Sequence, residues 1–132
     1  VEFKRPNPVE LRRFKLTGTA GRVELHRFLN ARPRVVTLQL PAARCDIDLT
    51  GKPFDGEAEI FFEGAPQALR LTLPRGIGLR VDGPALTIAR FDRADMRRAA
   101  TSLLSADYDS SPCRLHLYFS QRLPKLQVEW EE

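Results

Sequence analysis

Five times along this chain, an apolar residue near the close of one alternating run stands seven positions before an apolar residue of the next run. Phe14 and Leu16 lead to Val23 and Leu25 across Gly18-Thr19-Ala20-Gly21, and Leu38 and Leu40 lead to Ile47 and Leu49 across Pro41-Ala42-Ala43-Arg44. Ile60 and Phe62 lead to Leu69, Leu71 and Leu73 across Gly64-Ala65-Pro66-Gln67. Leu79 and Val81 lead to Leu86 and Ile88 across Gly83-Pro84, and Leu117 and Phe119 lead to Leu126, Val128 and Trp130 across Gln121-Arg122-Leu123-Pro124. A period of two marks strands that bury one face and wet the other. The markers Leu16, Leu40, Phe62, Val81 and Phe119 are separated by steps of 24, 22, 19 and 38 residues. Steps near 20 leave no room for a helical crossover between strands. The pattern therefore predicts an all-β fold, a short single-domain β-solenoid of about five two-strand coils, with each apolar row stacked on the row below. A β-sandwich of hairpins produces the same alternation. Pairing direction separates the two: successive copies pair in parallel in a solenoid, whereas adjacent strands pair antiparallel in a sandwich.

The doubled last step holds an insertion. Asp92 is placed as an N-cap with Asp95 three residues on, and Met96, Ala99, Ala100, Leu103 and Leu104 follow at the spacing of an apolar helical stripe. An amphipathic helix over 92–106 is expected before the last coil, covering an edge or end of the sheet. The chain then divides into an N-terminal arm or linker, residues 1–9, and a repeat domain, residues 10–132. A chain of 132 residues fits one domain. It opens at Val1 and reads as a segment of a longer protein.

The composition, 42% apolar and 29% charged, is that of a soluble globular segment, and no apolar stretch is long enough to span a bilayer. The net charge of +4 permits a nucleic-acid or anionic-surface partner, but the arginines are interspersed with 17 acids. That interspersion favours solubilising outward faces over a nucleic-acid footprint. Cys45 and Cys113 both fall at inward positions, where buried free thiols are favoured over a single disulfide.

Motifs that carry chemistry are missing: there is no serine-nucleophile elbow, phosphate-binding glycine loop or HExxH. His26 and His116 fall on outward positions beside Leu25 and Leu117, without a nearby His or Cys on the same face, and read as exposed surface histidines. Asp46, Asp48 and Asp55 lack the glycine-rich calcium pattern of some solenoids. Neither a catalytic residue, a metal site nor a cofactor is expected. Two outward positions are unexpectedly apolar: Phe61 between Ile60 and Phe62, and Tyr118 between Leu117 and Phe119. They mark a contact surface, or a face covered by the inserted helix or a terminus. Arg22, Glu24, Arg70, Arg80, Arg114 and Lys125 project outward and would form charged ladders. The candidate contact surface is Phe61, Tyr118, Arg70, Arg80 and Arg114.

Written out in this way, the chain resembles a bacterial group. The run from Leu16 to Leu25, LTGTAGRVEL, is similar to a recurring LxGGAGxLxL coil, and LRLTLPRGIGLRV from Leu69 to Val81 is similar to an LxLPxGVGVxV segment. The run from Tyr108 to Leu117, YDSSPCRLHL, resembles a tyrosine-containing loop leading into a final coil. The group is that of the LiaF-like cell-wall-active antibiotic-response proteins and the related toast-rack and adhesin-like β-solenoid domains, and the resemblance spans residues 10 to 130. The glycine-rich corner is kept only at Gly18–Gly21, which implies a divergent member with differently turned later corners. The resemblance implies a soluble segment of a bacterial, membrane-tethered parent connected with envelope stress sensing. The function expected is a non-catalytic binding or regulatory module acting on a protein partner or a surface ligand. The alternatives are a structural domain that self-associates through open solenoid ends and, less favoured, a hydrolase.

Overall fold

A computed structural model describes residues 4–5, 8–17, 22–40, 42–64, 66–91, 96–99, 102–121, 123 and 125–131. The corner Gly18–Gly21, the cap positions Asp92 and Asp95, and Phe3 of the arm lie outside the described residues. The fold is all-β apart from short helical turns. Its strands are β1 (Leu11–Thr17), β2 (Val23–Leu25), β3 (Pro33–Leu40), β4 (Arg44–Asp48), β5 (Gly56–Gly64), β6 (Ala68–Pro74), β7 (Gly78–Asp82), β8 (Met96–Ala99), β9 (Ser102–Ser105), β10 (Cys113–Phe119) and β11 (Leu126–Glu131).

These strands form two sheets, a seven-stranded sheet ordered β1-β3-β5-β10-β7-β9-β8 and a four-stranded sheet ordered β11-β6-β4-β2. Every pairing in the smaller sheet is parallel, and so are those from β1 through to β7 in the larger. Among the described residues, the antiparallel pairing that a sandwich of hairpins requires is confined to β7–β9 and β9–β8. Each of four chain excursions lays one strand in each sheet: β1 with β2, β3 with β4, β5 with β6, and β10 with β11.

The register explains the seven-residue offset. Leu16, Leu38, Phe62 and Phe119 lie level across the larger sheet, and Val23, Cys45, Leu69 and Leu126 lie level across the smaller one. Each residue of the first row stands seven positions before its counterpart in the second, so the two sheets advance by equal steps. The in-register partner of Leu16 is Leu38 rather than Leu40, which shifts the second coil by one inward position from the sequence markers. Between the sheets lies one core, with Val36, Leu38, Ile47, Ile60, Leu71, Val81, Leu115 and Leu117 at 0% exposure. Parallel stacking also places like rings together: Phe62 and Phe119 stack at 4.6 Å, close to the strand spacing of about 4.8 Å.

Backbone conformation restricts one coil corner to glycine. Gly64 has φ +94°, and a Cβ there would come within 2.3 Å of the Leu40 carbonyl oxygen, inside the β3–β5 pairing.

Three sequence expectations are corrected. First, the copies are not stacked in chain order. β10 lies between β5 and β7, so the last excursion is inserted beside the third. Secondly, the fourth copy has no second strand. Gly83 and Pro84 end β7, and Ala85–Ile88 forms one turn of helix, α1, continued by a 3-10 turn at Ala89–Phe91. This segment sits over the last coil. Phe91 is fully buried against Phe119, the Leu123 amide donates to Thr87 Oγ1, and Leu86 points outward at 60% exposure. Thirdly, where a helix is expected over 92–106, the described residues form an antiparallel strand pair, β8 with β9. β7 would otherwise present an unpaired edge, and β9 satisfies it, so tertiary hydrogen bonding overrides the helical spacing of Met96, Ala99 and Leu103. Ser102, Leu103, Leu104 and Ser105 are all buried, where a helical stripe would have left one face wet.

Candidate functional site

The outward side chains fall into rows that cross the strands, because parallel pairing in register repeats each position on the next strand. On the larger sheet, one row runs Val35–Glu59–His116–Arg80–Leu104, and the next runs Thr37–Phe61–Tyr118–Asp82–Ser102. Four of the five candidate contact residues, Phe61, Tyr118, Arg80 and Arg114, are thereby brought onto this face. Arg70 is not; it lies on the outer face of the smaller sheet.

At the centre of the larger sheet's face is a closed polar cluster. His116 Nε2 is hydrogen-bonded to Asp82 Oδ2, and its Nδ1 lies 2.9 Å from the Tyr118 hydroxyl and 3.5 Å from Glu57 Oε1. Tyr108 donates to Glu57 at 2.6 Å. Ser102 donates to the other Asp82 oxygen, and Arg80 Nε reaches Asp82 at 3.2 Å and Ser102 at 3.3 Å through its Nη2. His116 is 7% exposed, so the expectation of an exposed surface histidine is overturned for it. Its position is outward as parity required, but Tyr118 stacks on the imidazole at 3.9 Å and strands close in on both sides. Phe61 and Tyr118 do not lie under an inserted helix; they stack on each other at 4.5 Å, half-buried. Arg114 lays its Cγ against Gly78, and its Nε is buried without a hydrogen-bond partner among the described residues.

Electrostatics follow the geometry. Burial raises the Asp82 carboxyl, but hydrogen bonds from Ser102 and His116 and the charge of Arg80 outweigh it, leaving the group below its ordinary value. Burial, then the hydrogen bond to Glu57, pushes the Tyr108 phenol well up. Tyr118 is raised by burial and by the charges of Glu59 and Asp82.

The smaller sheet presents a different face. Its outward rows are Arg22–Arg44–Ala68–Lys125 and Glu24–Asp46–Arg70–Gln127. A cavity of about 290 Å³ opens over these rows, lined by both of them except Glu24, together with Gln67 and the edges of Cys45 and Leu69. Arg70 is held by Glu129 at 2.8 Å and Arg22 by Glu24 at 3.2 Å. Asp48 is engaged locally, accepting from the Thr50 amide at 2.8 Å.

Sequence reasoning missed Glu57, Asp82, Ser102 and Tyr108. No local signal could have supplied them, because they meet only through the out-of-order placement of β10 and the pairing of β9 with β7. Arg44 is legible as an outward residue, but the sequence sets it within a corner. Both cysteines are buried free thiols. Among the described residues, no three or more His, Cys, Asp or Glu side chains converge as a metal site, and no helix is long and apolar enough to cross a membrane. Comparison with known proteins gave no match among family models, curated proteins or solved structures.

Proposed function

We propose that this chain is a non-catalytic binding module built as a short β-solenoid, akin to the LiaF-like and toast-rack domains and carried on a bacterial envelope-associated protein. The observation that carries the reading is the parallel, in-register stacking of four two-strand excursions, which turns outward residues into rows of like spacing. Such rows suit an extended or surface-bound partner. The non-catalytic part is supported by how the polar cluster is satisfied. Ser102 gives its proton to Asp82 rather than to His116, so the imidazole does not activate it as a nucleophile. Both Asp82 oxygens are already occupied by Ser102, His116 and Arg80. The ligand face is then that of the smaller sheet.

Turnover and co-sedimentation assays on the same chain test this. Model esters, phosphodiesters and glycosides should remain intact, while bacterial envelope fragments should retain the chain and release the Arg70→Glu variant. Turnover that His116→Gln abolishes would overturn the reading.

A second reading, self-assembly through an open end, is favoured by one feature. Phe14, Leu16 and Val23 of the first coil are only partly buried, whereas their counterparts in later coils are closed. Against it, β1 carries Arg12, Arg13 and Lys15, and a second copy would meet like charge. Sedimentation equilibrium decides: a mass that rises with concentration supports assembly, and a constant monomer mass removes it.

A further inference from the structure

We infer that the cavity on the outer face of the four-stranded sheet binds a phosphate ester of a monosaccharide-sized polyol. The inference rests on the reading that this face is the ligand face, and adds the ligand's chemistry.

The floor of the cavity is Ala68, the one small residue in the row Arg22–Arg44–Ala68–Lys125. Strand spacing places Arg44 and Lys125 on either side of that methyl group, so their strands stand about 10 Å apart across it. Neither has an acidic partner among the described residues, unlike Arg22 and Arg70. Among the described residues, four cations line the cavity against one carboxylate, Asp46. Two cations free to converge over a small floor are suited to an oxyanion, with arginine supplying a planar fork of donors and lysine a mobile point charge.

The remaining lining residues restrict the ligand further. Gln67 and Gln127 supply amides, and Asp46 supplies an acceptor in the row next to Arg44. A carboxylate beside an anion is unfavourable unless it accepts a hydroxyl proton, which indicates a ligand with an anionic head and a hydroxyl-bearing body. The volume suits one sugar ring rather than a polymer lying along the groove.

The test is titration calorimetry of the intact chain at low salt with glucose 6-phosphate, inorganic phosphate and glucose, with phosphorus NMR on the same samples. Glucose 6-phosphate is expected to bind about tenfold more tightly than inorganic phosphate, glucose not at all, and added salt should weaken both anions. Arg44→Gln with Lys125→Gln should abolish binding of both, while Arg90→Gln, which removes an exposed charge elsewhere, should leave it intact. Asp46→Asn should weaken glucose 6-phosphate and leave inorganic phosphate unchanged or tighter. Equal affinity for the two anions, or equal loss in the Arg90 variant, overturns the inference but leaves the binding-module reading standing. Hydrolysis of the ester overturns the non-catalytic reading instead.

Discussion

His116 Nε2 and Asp82 Oδ2 are hydrogen-bonded across strands that are neighbours in the sheet but 34 residues apart in the chain. With Ser102 on the other Asp82 oxygen, this carboxylate ties β10, β7 and β9 together. The pairing spans the place where the fold departs from its repeat order, between the inserted last coil and the strand it displaced from the third. The polar cluster on the seven-stranded sheet is thus a clasp on the topology.

Asp82 should therefore make stability pH-dependent on the acid side. Its carboxyl is held below its ordinary value in the folded chain. Its contribution is present above the unfolded value of about 4 and is lost as pH falls through the folded value. Replacing a half-buried, hydrogen-bonded carboxylate paired with charged groups costs about 1–3 kcal/mol at neutral pH. Urea unfolding followed by Trp130 fluorescence should show Asp82→Asn less stable than the parent at pH 7, with the gap narrowing towards pH 3. A gap that stays constant with pH would assign the loss to packing alone.

The two tyrosines should titrate late. Tyr108 and Tyr118 are the only phenols in the chain, and both are raised in the fold, Tyr108 most by burial and its bond to Glu57. Phenolate absorbance at 295 nm should rise only above the ordinary midpoint of about 10 and return to it in denaturant. Because the folded values are raised, the associated stability is complete below about pH 10 and falls as pH climbs towards them. Tyr108→Phe should cost about 1.5–3 kcal/mol and remove the later part of the titration.

Neither thiol should react readily in the folded chain. Cys45 and Cys113 are each 3% exposed, and burial pushes both thiols up, so little thiolate is present at neutral pH. A disulfide-exchange reagent should label two thiols per chain in denaturant and react far more slowly without it. Fast labelling under native conditions would show that the inward rows open.

Gly64→Ala should be the most damaging single-methyl addition at a coil corner. The φ of +94° disfavours a side chain, and the Leu40 carbonyl occupies the space the new methyl group needs. A loss of about 1–3 kcal/mol is expected in thermal or urea unfolding.

Much of the architecture was legible in the sequence, because the seven-residue offset is a direct consequence of two sheets advancing in step. That Leu16, Leu38, Phe62 and Phe119 point inward follows from alternation; that they share one row does not, because the markers set Leu40 where the register sets Leu38. The order of the coils was not legible: Leu117 and Phe119 carry the same pattern as Leu79 and Val81, and nothing local says which pair stands next to Phe62. The strands at 96–99 and 102–105 are hidden for a related reason. Leu103 and Leu104 fit a helical stripe and a doubly buried strand equally well, and the free edge of β7 decided between them. The His116 cluster depended on both, so its members looked like unrelated outward residues. The ladder residues Arg22, Arg70 and Lys125 were visible individually, whereas the cavity between them required the register that sets Ala68 between Arg44 and Lys125.

In the proposed division of the outer surface, one sheet carries a structural clasp and the other the ligand face. Measuring urea stability and glucose 6-phosphate affinity side by side, in His116→Ala and in Arg44→Gln with Lys125→Gln, tests that division most directly. The division predicts that His116→Ala lowers stability by about 2 kcal/mol and retains binding, while the double variant keeps its unfolding midpoint and loses binding. Loss of affinity in His116→Ala with the double variant still binding would contradict it.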